Sequence, residues 1–323
     1  MTKKFVNGVQ KSEVKNGRVN IPHSFQSQLS QYFAALRPWS FTASFTPVAL
    51  GSTLAFKTSG TYDLSIFLVI CLTALSVHAA GNLVNTYFDY TRGIDSKKSD
   101  DRTLVDRLLS PADVAFLGGV FYVMGCVGFL LLAFLSPAKM EHIALIYFGG
   151  LSSSFLYTGG MGLKYIAMGD LVIFFTFGPL TVMFAFLCQA GQLSLSPFLY
   201  AIPLALNTVG ILHSNNTRDM ESDKSAGIMT IAILLGRTGS YLLFAALLFV
   251  PYIVFIMMSL HCTKWMLLPV LSVFLAFRYE REFRSGHLLG MPKKMALLNL
   301  FMGVMYVCAC FMADKSTLPN LLL

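Results

Sequence analysis

Residues 64–95 read LSIFLVICLTALSVHAAGNLVNTYFDYTRGID, and this stretch holds the two patterns on which the fold prediction depends. Its first part is an apolar run long enough for one bilayer crossing, which takes about 20 residues of helix. Its second part is polar, because Asn82, Asn85 and Asp89 follow at intervals of three and four residues and would share one helix face. The stretch therefore predicts a membrane-spanning helix with a polar, acidic face at one end.

The composition of the whole chain also indicates a membrane protein. Of its 323 residues, 55% are hydrophobic and 12% are charged, and the mean hydropathy is +0.64. Soluble domains carry about 25% charged residues, so the composition excludes an ordinary soluble enzyme and a disordered chain. The net charge of +8 follows the membrane topology described below, and we therefore expect no nucleic acid among the partners.

Nine apolar segments follow one another along the chain and predict an all-α, polytopic membrane protein. They are residues 40–56, 64–88, 112–135, 142–157, 165–188, 197–216, 239–260, 265–278 and 294–313. The eighth is short and could be tilted or partly re-entrant. We expect a polar, basic and disordered N-terminal tail over residues 1–31, one membrane domain over 32–314 and a short C-terminal tail over 315–323.

The basic residues predict the orientation of the chain in the membrane. With nine helices, 20 of the 24 Lys and Arg residues fall on the side of the N-terminus and four on the other side. Cytosolic loops are enriched in Lys and Arg, so the N-terminus is predicted to be cytosolic.

At the start of the third helix, Ser110 and Asp113 have the spacing of a capping box.

Two acidic motifs lie on the predicted cytosolic side, at the ends of the second and sixth helices. The first station comprises Asn82, Asn85, Tyr87, Phe88, Asp89, Arg92 and Asp95. The second station comprises Asn215, Asn216, Arg218, Asp219 and Asp223. Within the second station, Asn215, Asp219 and Asp223 lie four residues apart and would share one face. Carboxylates this close repel one another and are costly to desolvate near a membrane, and a divalent cation removes both penalties.

The chemistry that fits two such stations is the binding of a diphosphate through Mg²⁺. This ion prefers oxygen ligands and is usually held by one or two carboxylates together with substrate phosphates. We expect the metal ligands to be Asp89, Asp95, Asp219 and Asp223. Asp100 and Asp101 could join the metal shell or order the loop. The alternative for each station is a solvated loop end that caps a helix and balances nearby Lys and Arg.

A glycine-rich loop over residues 157–165 follows the fourth helix on the same side. It lacks the GKS or GKT of a P-loop, so it is either a flexible turn or a phosphate contact in which Lys164 and loop amides bind oxygens. Arg218 could bind phosphate as well, or pair with a neighbouring Asp. The amides of Asn82, Asn85 and Asn216 are candidates for the remaining phosphate oxygens. Aromatic candidates for stabilising a cation that loss of the diphosphate would leave are Tyr87, Phe88, Tyr157 and Tyr165.

Together these motifs resemble those of the UbiA superfamily of intramembrane aromatic prenyltransferases. The first station is similar to the first aspartate-rich motif of the family, and residues 215–223, continued by 223–236, are similar to the second. Residues 37–48 and the loop after Tyr157 are similar to the naphthoate-type branch, and the resemblance extends over 32–314. Asp89 and Asp95 are six residues apart where many members use four, and the naphthoate branch shares the longer spacing.

The resemblance implies nine transmembrane helices around a central cavity. It also implies Mg²⁺-dependent transfer of an isoprenyl group from its diphosphate to an aromatic ring. Similarity to the animal members implies geranylgeranyl diphosphate as donor, a menadiol-type reduced naphthoquinone as acceptor and menaquinone-4 as product. It further implies an endoplasmic reticulum or Golgi membrane, with a mitochondrial membrane as a further location, and association with HMG-CoA reductase. The catalytic candidates are then Asp89, Asp95, Asp219, Asp223, Lys164 and Tyr157.

Three other classes of protein compete with a prenyltransferase. A transporter would place charged or broken helices near the bilayer midplane, whereas the carboxylates of this chain gather at helix ends. A CDP-alcohol phosphotransferase would pair Asp-Gly with Ala-Arg ahead of further aspartates, an order that neither station shows. A regulatory scaffold would use the stations to bind a cation or a diphosphate lipid, but it leaves their pairing unexplained.

The two stations lie at matching helices of the first and second halves of the chain, which also predicts an internal repeat of two four-helix units.

Overall fold

The computed structural model describes residues 25–94, 103–106 and 108–318, with side chains from Ser30 onward. Within these ranges the chain forms α-helices and short helical turns, and a single isolated bridge pairs Ile166 with Met229. The α-helices are α1 (Phe25–Ala35), α2 (Thr42–Ser59), α3 (Leu64–Thr91), α4 (Pro111–Leu135), α5 (Met140–Thr158), α6 (Gly169–Phe175), α7 (Thr181–Ala190), α8 (Ser196–Arg218), α9 (Met220–Ser225), α10 (Ile231–His261), α11 (Val273–Arg284) and α12 (Met291–Met312).

Six segments of the described chain are long and apolar enough to cross a membrane. They are Leu64–Thr91, Pro111–Leu135, Gly169–Ala190, Ser196–Arg218, Ile231–His261 and Met291–Met312. This confirms the prediction of an all-α, polytopic membrane protein. The other three predicted segments also fold mainly as helix, in α2, α5 and the region up to the end of α11. The count of nine crossings stays a prediction.

The last part of the predicted N-terminal tail is helical, because α1 covers residues 25–31. Expecting disorder up to residue 31 was therefore wrong for this segment. The helix leads into a small hydrophobic cluster in which Tyr32 and Ala35 pack with Leu83 of α3, and this packing stabilises the end of α1. The predicted tail over residues 1–24 lies outside the described residues.

The fifth predicted segment, 165–188, is two helices rather than one. Helix α6 is joined to α7 by a π-helical turn over Thr176–Leu180 that contains Pro179. Proline has no N–H to donate to the helical ladder, which favours a local change of helix type. At Gly178 a Cβ atom would lie 2.4 Å from the Cβ of Ala205, so the absent side chain lets this turn approach α8 closely.

The seventh and eighth predicted segments differ from the structure at their ends. Helix α10 begins at Ile231 rather than at residue 239, but it is interrupted at Gly236, whose φ of 65° and ψ of −178° are not helical. The eighth segment consists of two 3₁₀ turns followed by α11, which continues to Arg284. Arg278, Arg281 and Arg284 therefore lie within α11, where Arg278 and Arg284 form ion pairs with glutamates one turn away.

Two hydrophobic clusters hold the helices together. One joins α2, α8, α10, α11 and α12, and the other joins α2, α3, α4, α5 and α7. A cavity is lined by residues of α2, α3, α5, α6, α7 and α8. Asn85, near the C-terminal end of α3, and Asn215, near the C-terminal end of α8, both line this cavity.

Candidate active site

Asp89 is the centre of the first station. It is 5% exposed, and its two oxygens accept hydrogen bonds from Lys164 Nζ at 2.6 Å and from the hydroxyl of Tyr165 at 2.8 Å. Lys164 Nζ also donates to Asn85 Oδ1 at 2.9 Å, and the hydroxyl of Thr158 donates to the same oxygen at 3.2 Å. The glycine-rich loop is therefore ordered against the first station through Lys164 and Tyr165.

Asn82 does not join this group, although it lies on the same helix as Asn85 and Asp89. Its Nδ2 donates to the backbone oxygen of Leu36 at 2.9 Å and to Ser40 Oγ at 3.1 Å. The amide is therefore turned toward the segment that precedes α2. The predicted polar face of α3 is divided between the acidic station and this second set of contacts.

The second station is organised by Arg218. Its Nε donates to Asp219 Oδ1 at 2.7 Å, and its Nη2 donates to Asp219 Oδ2 and to Asn215 Oδ1, the latter at 2.8 Å. Asn215 Nδ2 in turn lies 3.3 Å from Asp219 Oδ2. A bidentate pair of this kind fixes both side chains. Of the two alternatives for Arg218, the structure shows the pairing with a neighbouring Asp.

Asp223 connects the two stations electrostatically. Burial and the nearby carboxylates of Asp219 and Asp89 raise the pKa of Asp223, whereas Lys164 and Arg218 oppose the rise, and the resulting pKa is about 6. No described residue donates a hydrogen bond to the Asp223 side chain. Asp223 thus lies within electrostatic range of charged groups from both stations, and a cation placed there would relieve the repulsion among the three carboxylates.

A short backbone pairing joins the glycine-rich loop after α5 to the segment that follows the second station. Ala167 N donates to Met229 O at 2.8 Å, and Met229 N donates to Tyr165 O at 3.1 Å. The guanidinium of Arg92 stacks 4.4 Å from the centre of the Tyr165 ring. These contacts fix the loop after α5 to the segment after α9, so both stations share one wall.

The cavity begins at the stations and extends between the helices. Its volume is about 240 Å³, and its polar end is lined by Asn85, Lys164 and Asn215. Its walls are largely apolar and aromatic, with Tyr147, Tyr157, Phe177 and Phe184 among them. An apolar cavity with a few convergent polar groups at one end is the usual form of a site for an amphiphilic ligand.

Several predicted site residues lie away from this cavity. Tyr87 packs in the cluster with Leu83 and meets Phe88 edge to face at 5.5 Å, and neither of these two rings is among the described lining residues. Asn216 is buried, and no described hydrogen bond joins its side chain to either station. Asp95, like Asp100 and Asp101, lies outside the described residues.

Sequence reasoning missed Thr158, Ser40 and Asp170. Asp170 Oδ1 lies 3.6 Å from His213 Nδ1, and both atoms are buried without a hydrogen bond. The signal for Asp170 was available, since a carboxylate at the edge of an apolar run is rarely there by chance. Thr158 and Ser40 carry no such signal, because hydroxyl residues are common in membrane helices.

The donor set of the stations fits a hard divalent cation. The described residues hold no ready cluster of three His, Cys, Asp or Glu side chains, but the three carboxylates near the cavity mouth supply oxygen donors only. Asp89 and Asp219 are compensated by Lys164 and Arg218 in this arrangement. Oxygen donors that leave part of the coordination shell to water or phosphate suit Mg²⁺ rather than a thiophilic metal.

Solved structures share this fold. A UbiA homologue from Aeropyrum pernix K1 in its apo form gives a TM-score of 0.67 at 16% identity and covers 84% of this chain and 98% of its own. A UbiA homologue from Archaeoglobus fulgidus bound to GPP and Mg²⁺ gives a TM-score of 0.59 at 15% identity, covering 86% and 99%. At such identities the likeness shows the fold alone.

Sequence similarity is much stronger to vertebrate relatives. The UbiA prenyltransferase domain-containing protein 1 of Danio rerio is 59% identical over 296 residues, which are 92% of this chain and 88% of that protein. The family model described as the UbiA prenyltransferase family matches residues 44–303. On both grounds, the chain belongs to the UbiA prenyltransferase family.

Proposed function

We propose that the protein transfers an isoprenyl group, specifically geranylgeranyl, from its diphosphate to a menadiol-type reduced naphthoquinone and so makes menaquinone-4. The observation that supports this proposal is that residues of both stations, Asn85 and Asn215, line the polar end of one largely apolar cavity. Lys164 contacts Asp89 and Asn85 of the first station, and Asp223 lies within electrostatic range of both stations. Membership of the family supports prenyl transfer, and the donor's long apolar chain suits the cavity.

Mg²⁺ is the cofactor that we assign to the stations. Asp89, Asp219 and Asp223 would hold it, and the sequence adds Asp95 as a fourth candidate. When bound there it would neutralise the diphosphate as a Lewis acid. The Archaeoglobus fulgidus homologue bound to GPP and Mg²⁺ supports this assignment.

The basic side chains of the site bind and orient the diphosphate. In the described arrangement Lys164 and Arg218 pair with Asp89 and Asp219, and Lys164 also lines the cavity. The Oδ1 atom of Asn85 is held by Lys164 and Thr158, so its Nδ2 is left to donate to the ligand. The charge of the leaving group is thereby stabilised by fixed donors.

The cavity walls protect the allylic cation that forms when the donor's C–O bond breaks. Tyr157 lines the cavity beside Lys164, and Phe177 and Tyr147 line it further in. Aromatic faces stabilise a cation by about 0.5–2 kcal/mol each, and the apolar walls exclude water that would otherwise capture it. The electron-rich ring of the acceptor then forms the new C–C bond, and its ring proton leaves to water or a base.

The cellular setting is part of the proposal. From the resemblance to the animal members, we place the protein in the endoplasmic reticulum or Golgi membrane, with a mitochondrial membrane as a further location. On the same ground we propose HMG-CoA reductase as a protein partner. Co-purification of the two proteins from membranes tests the partnership independently of the reaction, and its absence would contradict it.

The reaction is tested with purified protein in liposomes. Geranylgeranyl diphosphate and chemically reduced menadione are supplied with Mg²⁺ or with EDTA, and product is measured by mass spectrometry. We expect product only with Mg²⁺, and none from Asp223→Ala. The matched control is Glu221→Ala, because Glu221 lies on the same short helix but is exposed and pairs with Arg237.

Product from wild type and from Glu221→Ala, with none from Asp223→Ala, supports the proposal. Product from Asp223→Ala at the wild-type rate contradicts the role of the second station. No product from folded wild type with any prenyl donor or aromatic acceptor contradicts the enzyme itself. In that case the stations would act as a cation or diphosphate-lipid site of a transporter or a scaffold.

A further inference from the structure

Two asparagines on α3 present opposite hydrogen-bonding groups to the cavity, one donors and the other an acceptor. Both Asn82 and Asn85 line it, and they are about 4.5 Å apart along the helix axis, given a rise of 1.5 Å per residue. Their amide orientations are set by neighbours that can act in only one way. A lysine ammonium only donates hydrogen bonds, and a backbone carbonyl only accepts them.

At Asn85 the oxygen faces the protein. Lys164 Nζ donates to Asn85 Oδ1 at 2.9 Å, which excludes the flipped amide because an N–H group could not accept this bond. The two N–H groups of Asn85 find no acceptor among the described residues. Asn85 therefore offers hydrogen-bond donors, which suit the anionic oxygens of a diphosphate.

At Asn82 the amide is reversed. Its Nδ2 donates to the backbone oxygen of Leu36 at 2.9 Å and to Ser40 Oγ at 3.1 Å. Flipping this amide would bring its oxygen against the Leu36 carbonyl, two acceptors facing each other. No described residue donates to Asn82 Oδ1, and the side chain is half-buried on the cavity wall. Asn82 therefore offers a hydrogen-bond acceptor.

A buried histidine holds this part of the wall in place. His78 Nδ1 lies 2.7 Å from Ser44 Oγ, and His78 Nε2 lies 3.2 Å from Ser40 Oγ. The hydroxyl of Ser40 donates to Arg37 O at 2.8 Å. Edge-to-face contacts with Phe177 on one side and Phe41 on the other fix the imidazole ring. The polar atoms of His78 and Ser40 are thus engaged within the protein.

The amide oxygen of Asn82 can accept a hydrogen bond only from a ligand that carries a donor, and the components of the reaction differ in this respect. A diphosphate presents acceptor oxygens, so it gains nothing from Asn82 Oδ1, and a prenyl chain carries no polar atom. A hydroxylated aromatic ring carries O–H donors. The oxidised quinone carries two carbonyl oxygens at the same positions, and these would face Asn82 Oδ1 without a hydrogen atom between them.

We propose that Asn82 binds a hydroxyl group of the aromatic acceptor through its amide oxygen, and that this contact makes the site prefer the dihydroxy ring to the quinone. The proposal rests on the proposed function and locates its second substrate. The ring would lie beside α3, one helical turn from the donors of Asn85, near the carbon that it attacks. Asn82 is then a specificity-determining residue of the acceptor subsite.

The first test measures binding without turnover. Purified wild-type protein is titrated anaerobically with 2-methyl-1,4-naphthalenediol and with its dimethyl ether, which keeps the ring but has no O–H group. One neutral hydrogen bond changes affinity by roughly five- to tenfold, so we expect the diol to bind more tightly by that factor. We expect Asn82→Ala to bind both compounds equally, at the level of the ether. Equal affinity of wild type for diol and ether overturns the proposal without any variant.

The second test separates the two substrates kinetically. We expect Asn82→Ala to raise the KM for the diol roughly five- to tenfold and to leave the KM for the prenyl diphosphate unchanged. Asn85→Ala is expected to do the reverse. A variant at Asn82 that keeps the preference for the diol, or that raises only the KM for the diphosphate, overturns the proposal. Absence of product from wild type contradicts the proposed function instead, and the binding test still decides the role of Asn82.

Discussion

Among single residues, Asp223 shows most directly that a buried charge at the site lowers the stability of the folded protein. Burial and the neighbouring carboxylates raise its pKa to about 6, from an ordinary value of 3.8. A raised carboxyl pKa means that the folded protein disfavours the charged form. The destabilisation of the fold by the charged side chain is therefore complete above about pH 6, and between pH 3.8 and about 6 the folded protein holds a proton that the unfolded chain has released.

Replacing Asp223 by Asn tests whether the buried charge of Asp223 destabilises the folded protein. We expect Asp223→Asn to raise the Tm of the metal-free protein at pH 8, because it removes the buried charge and keeps the size of the side chain. The gain should shrink as the pH falls through about 6, where the wild-type carboxylate takes up its proton. Thermal unfolding in detergent with EDTA at pH 8 and pH 5 measures both. A Tm at or below that of wild type at pH 8 would contradict the prediction.

Lys164 is expected to make the fold independent of metal. It pairs with Asp89, which is otherwise a buried carboxylate, so we expect EDTA to abolish activity and to leave the wild-type Tm nearly unchanged. Removing one partner of a buried pair costs about 3–5 kcal/mol, because the other charge is left buried without its partner. We expect Lys164→Ala to lose about that much and to regain part of it with Mg²⁺. Unfolding with and without EDTA measures this, and a metal-dependent wild-type Tm would argue against it.

How well contacts between residues could be predicted from the sequence depended on how far apart the two residues are along the chain. The box of Ser110 and Asp113 was predictable and is confirmed, because its partners are three residues apart and helix geometry places them in contact. Lys164 and Asp89 are 75 residues apart, and the sequence placed both only on one side of the membrane. Neither the depth nor the rotation of α3 was available, so Asn82 could not be separated from Asn85.

At the level of elements, the pairing of residues 165–167 with Met229 is one of the contacts that hold the loop in place. It consists of two backbone hydrogen bonds, which join the end of the 3₁₀ turn Leu163–Tyr165 to the segment between α9 and α10. Such a pairing between distant segments is not encoded by periodicity, so a flexible turn remained one alternative for residues 157–165 from the sequence alone. Ala167 adds strain, because its φ of 62° is unfavourable for a residue with a Cβ atom.

Breaking this pairing should affect turnover more than folding. Met229→Pro removes the N–H that donates to Tyr165 O, and we expect at least a tenfold loss of kcat/KM and faster proteolytic cleavage in residues 159–168. Ala167→Gly is the matched control. It relieves the left-handed strain while keeping the backbone bonds, so its activity should stay close to that of wild type. Unchanged proteolysis and turnover in Met229→Pro would show that the pairing does not order the loop.

At the level of the whole molecule, helix length places the chemistry at the membrane surface. Helix α3 has 28 residues and is about 42 Å long, whereas the hydrocarbon core is about 30 Å thick. With its apolar part in the bilayer, the last turns around Asp89 project beyond the core. In the proposed function, this placement would let the stations bind a diphosphate headgroup at the membrane surface while the cavity between the helices receives the apolar chain. The two halves related by an internal repeat stay a prediction.

The orientation of the chain in the membrane stays a prediction from the distribution of its Lys and Arg residues, and it can be tested on the whole molecule. Nine crossings with a cytosolic N-terminus put the stations in the cytosol and the C-terminus on the opposite side. We expect an epitope tag after Leu323 to be protected from protease in sealed microsomes, and a tag before Met1 to be digested. Single cysteines at Glu221 and Lys139, in an otherwise cysteine-free chain, should react with a membrane-impermeant maleimide from opposite sides. Both tags digested together would mean an even number of crossings, and one of the three less apolar segments would then lie along the membrane surface rather than across it.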